Sequence, residues 1–384
     1  MNAMQQIIIG ADLVPTTTNI EQFASGDTAT LLGDDLAELL AAASYRIFNL
    51  EVPLTDKAAP IPKCGPNLIA PTRTINGYKA MGVDLLTLAN NHIMDQGAQG
   101  YESTISTLDA AGIAHVGGGD DLADAAKPYL FGFAGKRIGV YACAEHEFSI
   151  ATETTCGANP FDPLESPDHV AKLKSECDFV IVLYHGGKEH YRYPSPNLQK
   201  TCRKLVEKGA DLVICQHSHC IGCEEKYGDG TIVYGQGNFL FDHSKSEFWQ
   251  TSLLVSLDNN LQASYIPLVK QGNGVRLADG VQAKAILQEF QERGHRILET
   301  GFIDREYKAF ADSALADYLV SLGARRTLLG RILNRLSRGK YYKAKVKLLY
   351  RKRNYLALRN FIECEAHREL VLRGLCEDER DYKK

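Results

Sequence analysis

From residue 5 to about residue 270 the chain alternates two kinds of segment: short uninterrupted apolar runs, and stretches in which apolar residues recur every three or four positions. The first kind reads as buried strands and the second as amphipathic helices, so the alternation predicts a layered α/β domain. The expected strands are QIIIGADL, YRIFNLEVPL, VDLLTLANNH, IAHVGG, KRIGVYACA, DFVIVLYHGG and ADLVICQHSH. Between them fall helical segments such as GDDLAELLAAAS, TINGYKAMG, GYESTISTLDAAG, SPDHVAKLKSEC and NLQKTCRKLVEKG. GTIVYGQGNFLF, QTSLLVSLD and ASYIPLV follow, separated by turn signals such as DNN, and read as an antiparallel group. Past Gly272 the pattern is helical throughout. A boundary near residue 270 therefore separates an α/β domain, 1–270, from a helical, basic region, 271–384.

The polar residues of the first part gather just beyond the apolar strands. Asp12 follows IIIGA, Asn49 and Glu51 follow YRIF, and Asn90, Asn91 and His92 follow LLTLA; His185 follows VIVLY, and His217 and His219 follow LVIC. In a parallel sheet such strand ends lie side by side, so clusters far apart in sequence can converge on one site. Two carboxylates, an amide oxygen and three imidazoles suit a pair of divalent cations, which would polarise a substrate oxygen and make hydroxide available as a nucleophile near neutral pH. The stretch CQHSHCIGC, 215–223, offers a competing reading as a small zinc knot. That knot must close Cys215, Cys220 and Cys223 within nine residues, and it leaves the other clusters unexplained.

GADLVP, FNLEVPLTD, LTLANNHIMDQG, YHGGKEH, ADLVICQHSH and VYGQGNFLFD resemble, in order, the motifs of the CapA family. These proteins are associated with poly-γ-glutamate capsule synthesis and belong to the calcineurin-like metallophosphatases. The resemblance covers about residues 5 to 268 and implies a four-layer α/β/β/α metallophosphatase-like sandwich, here with an added C-terminal helical region. It also implies a metal-dependent hydrolase acting on a phosphoester, amide or ester bond, or else a non-catalytic accessory component of a capsule-polymer assembly. By position, Asp12 and His219 would hold one metal, Glu51 would bridge, and Asn91, His185 and His217 would hold the second. The ions would be Mn, Fe or Zn. Val14 stands where metallophosphatases at large often carry a further ligand, which leaves the first ion sparsely held and makes a one-metal site an alternative. His92 resembles the family's proton donor, with Asp95 to orient it, and Glu189 falls on the family's acidic position after the YHGG histidine. His146 and Arg73 are weaker candidates for substrate contact, as is Lys63.

Composition narrows the setting. Of 384 residues 45% are hydrophobic and the formal charge is −4, which is ordinary for a globular protein. The start lacks a signal-peptide pattern and nothing later reads as a membrane span, so a cytoplasmic location is expected. The ten cysteines, Cys376 included, are spaced irregularly and read as reduced thiols. From Arg331 to Arg353 there are ten lysines and arginines and no acidic residue. Leu328, Leu329, Ile332, Leu333 and Leu336 share one helical face there, a pattern suited to peripheral contact with the inner membrane face or with capsule-assembly partners. Nucleic-acid binding is the weaker reading of this basic segment, and the substrate is expected to be an anionic small molecule or polymer.

Overall fold

The computed structural model describes residues 5–323 and 326–375. Cys376 and the extreme ends of the chain fall outside that range, as does Arg325 at the start of one anticipated helix. Numbered in chain order, sheet one contains β1 (Ile7–Val14), β2 (Tyr45–Asn49), β3 (Leu85–Thr87), β4 (Ala114–Val116), β13 (Asn238–Phe241), β14 (Thr251–Leu257), β15 (Ala263–Gln271) and β16 (Gly274–Leu277). Sheet two contains β6 (Tyr129–Phe133), β7 (Lys136–Ala144), β9 (Phe179–His185), β10 (Leu212–Gln216), β11 (Glu224–Tyr227) and β12 (Gly230–Val233). A two-residue pair, β5 (Gly118–Gly119) and β8 (Gly157–Ala158), completes the strands.

The period-two alternation along the strands builds the layers. Ile7, Ile9, Ile47 and Leu85 of sheet one meet Ile138, Val140, Ile181, Leu183, Leu212 and Ile214 of sheet two in a core between the sheets. The alternate residues, such as Ile8, Phe48 and Leu86, turn outward. They pack beneath α1 (Ile20–Ser25), α2 (Thr28–Leu32), α3 (Asp34–Ala42), α4 (Ile75–Ala80) and α5 (Gly97–Ala111). A single-turn α6 (Leu122–Ala125) follows; on the far side, Val180, Val182 and Val213 pack against α7 (Ser166–Glu176) and α8 (Pro196–Glu207). The result is the four-layer α/β/β/α order expected from the sequence.

β1 to β4 run parallel, as do β7, β9, β10 and β12, so their C-terminal ends share one rim. The run GTIVYGQGNFLF differs from expectation. It is two strands: β12 pairs parallel with β10 in sheet two, and β13 pairs parallel with β1 in sheet one. Gly235 (φ 127°) and Gly237 (φ 77°) make the crossing between the sheets. A Cβ on Gly235 would stand 2.7 Å from Ser218 Oγ and 2.8 Å from the Cys220 carbonyl oxygen, so a side chain is excluded as well as strained. Within the group only β14 and β15 pair antiparallel with each other as anticipated, while β12 and β14 have antiparallel neighbours outside it in β11 and β1.

The helices begin at Gly280 rather than directly past Gly272, because β16 still pairs antiparallel with β15, and the first compact unit extends to Ile303 rather than to residue 270. The reason is packing: α9 (Gly280–Arg296) carries Phe290 into the inter-sheet core, 4.7 Å from the ring of Tyr265, and Arg293 donates to the Gly222 carbonyl at 2.7 Å. The second unit, Asp304–Lys384, holds most of α10 (Phe302–Leu322), then α11 (Leu328–Leu336), α12 (Lys340–Leu349), α13 (Lys352–Glu363) and α14 (Glu365–Leu375). Among the described residues no helix is long and apolar enough to cross a membrane. Phe290→Ala should therefore destabilise the first unit by about 3–5 kcal/mol in urea unfolding. Truncating the exposed Leu328 to Ala should leave that transition where it is.

Candidate metal centre

Each strand at the rim delivers one piece. β1 is buried along its whole length, and its pairing with β2 and β13 slips around Asp12, which turns the carboxylate into the rim. Asp12 lies level with Asn49 on β2 and with Asn238 on β13. Glu51 follows two residues beyond β2 and is fully buried. β9 ends on His185, which pairs across to Gln216 at the end of β10. His217 and His219 then adopt left-handed backbone (φ 82° and 54°), an uncommon conformation for residues with a Cβ.

Two groups of ligand atoms result, each with all atoms within 4.8 Å of one another: Asp12, Glu51 and His219, and Glu51, His185 and His217. Glu51 belongs to both. Asn91 Oδ1 lies 3.0 Å from His185 Nε2, and His217 Nδ1 lies 3.1 Å from that same nitrogen. Asp12 Oδ2 and both carboxylate oxygens of Glu51 are buried without a hydrogen-bond partner. Burying unpaired carboxylate oxygens is costly, and three convergent imidazole and amide ligand atoms repel one another unless a proton or cation stands between them. These nitrogen and oxygen donors suit divalent cations, and Glu51 offers its carboxylate to both groups. Val14 turns away into the helix-covered core.

The cysteines do not join either triad. Cys215 and Cys223 pack into the core beneath α8, Cys215 Sγ lying 3.6 Å from Cys202 Sγ, and Cys220 is buried as well. The zinc-knot reading fails because β10 alternates: it sends Cys215 to the helix side, and the histidines come after the strand has ended.

Two asparagines, which the sequence shows only as members of strand-end clusters, brace the site. Asn49 Nδ2 donates to Asp12 Oδ1 at 2.8 Å and stands 3.2 Å from His185 Nδ1. Asn90 Nδ2 donates to Asn49 Oδ1 and to the Leu50 carbonyl, while its own Oδ1 accepts from the His92 amide. Asn238 Oδ1 sits 2.9 Å from His219 Nδ1, and Trp249 lies against the His219 ring at 4.5 Å between centroids. Such outer contacts fix ligand orientation.

His92 Nδ1 lies 2.6 Å from Asp95 Oδ2, which also accepts from the Leu68 amide. The other Asp95 oxygen pairs with Lys63 at 2.5 Å, both side chains being almost wholly buried. Lys63 is thus committed to Asp95 and is not a free cation for substrate. Glu189 is half-buried; burial works against its charge, but the nearby charges of His219 and Lys188 hold its carboxyl below the ordinary value. His146 is exposed, and its neighbour Glu147 is the residue that reaches the site, accepting from Asn91 Nδ2 at 3.0 Å. Arg73 pairs with Glu21 of α1 in an exposed ion pair and has no contact with either triad among the described residues.

Burial and the Asp12 charge push the Glu51 carboxyl up to about 8. Burial works against a charged His219, yet Asp12 and Glu51 outweigh it and raise that imidazole to about 9. Asp12 is held below its ordinary value by His219, His185 and Asn49 despite burial. Burial lowers His185 to about 4 and drives His217 well down. Without an ion, the cluster therefore carries protons on Glu51 and His219 at pH 7 and none on His185 and His217. Cations must displace those protons, so affinity for Mn²⁺ or Zn²⁺ should rise with pH from 6 and level off above about 9. Calorimetry in buffers of different ionisation enthalpy should register proton release at pH 7, and Glu51→Gln should lower the metal bound per chain. Lys63→Met, which strands the Asp95 charge, should cost about 3–5 kcal/mol in urea unfolding. Arg73→Ala should leave the midpoint nearly unchanged.

Comparison with known proteins adds the lineage. A family model described as bacterial capsule synthesis protein PGA_cap matches residues 7–243. The capsule biosynthesis protein CapA of Bacillus anthracis is 31% identical over 182 residues, 46% of this chain and 44% of that protein. The PGA biosynthesis protein CapA of Bacillus subtilis is 30% identical over 173 residues, 44% of this chain and 45% of its own. A probable polyglutamine synthesis accessory protein of Mycobacterium tuberculosis is 29% identical over 177 residues, 43% and 47% of the two chains. The chain thus spans about half the length of these curated relatives. Among solved structures, a putative 5'-nucleotidase from Staphylococcus aureus superposes with a TM-score of 0.44 at 14% identity, over 74% of this chain and 58% of that one. The family match covers more than half of the chain and contains every residue of both triads, so the protein belongs to the bacterial capsule synthesis protein PGA_cap family.

Proposed function

We propose that the protein is a metal-dependent hydrolase that cleaves a phosphoester, or an amide or ester bond, in an anionic polymer or its precursor during capsule or poly-γ-glutamate-type synthesis. The observation that carries this reading is the pair of ligand triads sharing Glu51, with three carboxylate oxygens left unpartnered between them. Two bound divalent cations would supply Lewis acidity toward the scissile group and acidify a water molecule. The chain's own residues provide the rest.

His92 is the residue placed to move a proton. Asp95 takes up its Nδ1, which orients the ring and leaves Nε2, on the opposite edge, to donate to a leaving oxygen or nitrogen. Lys63 offsets the buried Asp95 charge, and the Asn90 side chain holds the His92 amide, so the ring is fixed from both sides. Asn91 shares its turn with His92 and extends its amide oxygen toward His185, which brings the proton donor beside the ligand cluster. Glu147 and Glu189 line the same neighbourhood with negative charge. They would disfavour a substrate whose anionic groups crowd the scissile bond, and favour one presenting the reactive group ahead of its charges.

A second reading is favoured by the description of the mycobacterial relative as an accessory protein: a non-catalytic member of a capsule-assembly complex whose metal site is structural. His92→Ala separates the two. A hydrolase should lose about 10²–10⁴-fold in turnover on a phosphoester or γ-glutamyl substrate while keeping its metal content. If the purified protein turns over neither substrate, and His92→Ala supports polymer production in cells as well as the unaltered chain does, the accessory reading replaces the enzymatic one.

A further inference from the structure

The second unit contains a helix whose packing is inverted. On α11, Leu328, Ile332, Leu336, Leu329 and Leu333 occupy an arc of about 140° at 100° per residue. An amphipathic helix ordinarily buries such an arc. Here the opposite side is buried: Gly330 packs against the ring of Tyr342, and Asn334 Oδ1 accepts from the Tyr342 amide at 3.0 Å. Tyr342 itself is fully buried, with Val346, against Ala316, Leu319 and Val320 of α10. The leucine face stays in solvent, Leu328 at 67% and Leu336 at 77% exposed.

Charge indicates what covers that face. Arg331 and Arg335 lie along one edge of the apolar arc, and Arg338, then Lys340, Lys343 and Lys347 of α12, continue the series, all six exposed. The chain contains no aspartate or glutamate from Tyr318 to Ile362, and among the described residues none of the six forms an ion pair. A nucleic acid would use the cations but has no use for five exposed aliphatic side chains. A protein partner's apolar groove would use the aliphatic chains but would have to be strongly acidic around its rim. A bilayer with anionic headgroups satisfies both, with the leucines entering the acyl boundary and the cations lying at the phosphates.

We infer that α11, with the basic start of α12, is a docking surface for anionic lipid bilayers. This does not rest on the hydrolase reading and needs no metal. The test is cosedimentation of the full chain with vesicles of phosphatidylcholine containing about 30% phosphatidylglycerol, beside vesicles of phosphatidylcholine alone. The protein should pellet with the anionic vesicles, stay in the supernatant with the neutral ones, and be released by about 500 mM salt. Arg331→Glu with Arg335→Glu should weaken partitioning at least about tenfold. Leu329→Gln with Ile332→Gln, which keeps helix-forming residues at exposed positions, should weaken it about fivefold or more, with circular dichroism unchanged. Failure of the unaltered chain to pellet with anionic vesicles overturns the proposal, as does equal pelleting with neutral ones. So does a glutamine variant that binds like the unaltered chain, or duplex nucleic acid that displaces the vesicles at matched charge concentration.

Discussion

Two carboxylates, Asp12 and Glu51, are buried at the rim of a parallel sheet with three of their four oxygens lacking a hydrogen bond. An arrangement of that kind is tolerable only if protons or cations neutralise it, and much of the surrounding structure follows from that requirement. Histidines approach from the second sheet, at the ends of β9 and β10, because only residues at the shared rim can reach across to sheet one. His217 and His219 accept strained backbone to do so. Asn49 and Asn90 spend their hydrogen-bonding capacity on holding Asp12 and the turn that carries His92. The fold supplies the rim, and the unmatched charge gives the rim its use.

The same rim explains why a site drawn from residues 12 to 219 tolerates so little displacement. The two sheets are joined through β12 and β13 by a glycine-lined crossing, and β13 carries Asn238 to the side of His219. Sheet one contributes the carboxylates and sheet two the imidazoles that complete both triads. Any slip of one sheet over the other would separate the halves, and the close-packed Ile and Val layer between them resists such a slip.

Much of this could be read from residue order. Strands with apolar runs and polar ends announced the layers, and the clusters at Asp12, Glu51, Asn91, His185, His217 and His219 stood out because each followed such a run. Hydropathy could not show where GTIVYGQGNFLF divides, since both halves are equally apolar and only the positive φ at Gly235 and Gly237 reveals the break. Nor could it place α9, whose mixed surface looks like the start of the helical tail until Phe290 is seen in the inter-sheet core. Lys63 and Arg73 carried the same charge and the same ambiguity, and only tertiary contacts tell them apart: one is sealed against Asp95, the other lies in the open with Glu21. Glu147 was overshadowed by His146, since adjacent positions in a loop give no sign of which side chain turns inward.

The segment between Pro53 and Pro71 is rich in proline and short on regular structure, the sort of stretch in which lineages usually accumulate change. It is tethered at three places to a single aspartate: the Lys63 side chain and the Leu68 amide hold the Asp95 carboxylate, and the Ile61 amide donates to the Asp95 carbonyl. An insertion there would do more than reshape a surface. It would tug on the carboxylate that orients the His92 ring, so change in this loop reaches the His92 side chain through Asp95 before it reshapes anything else.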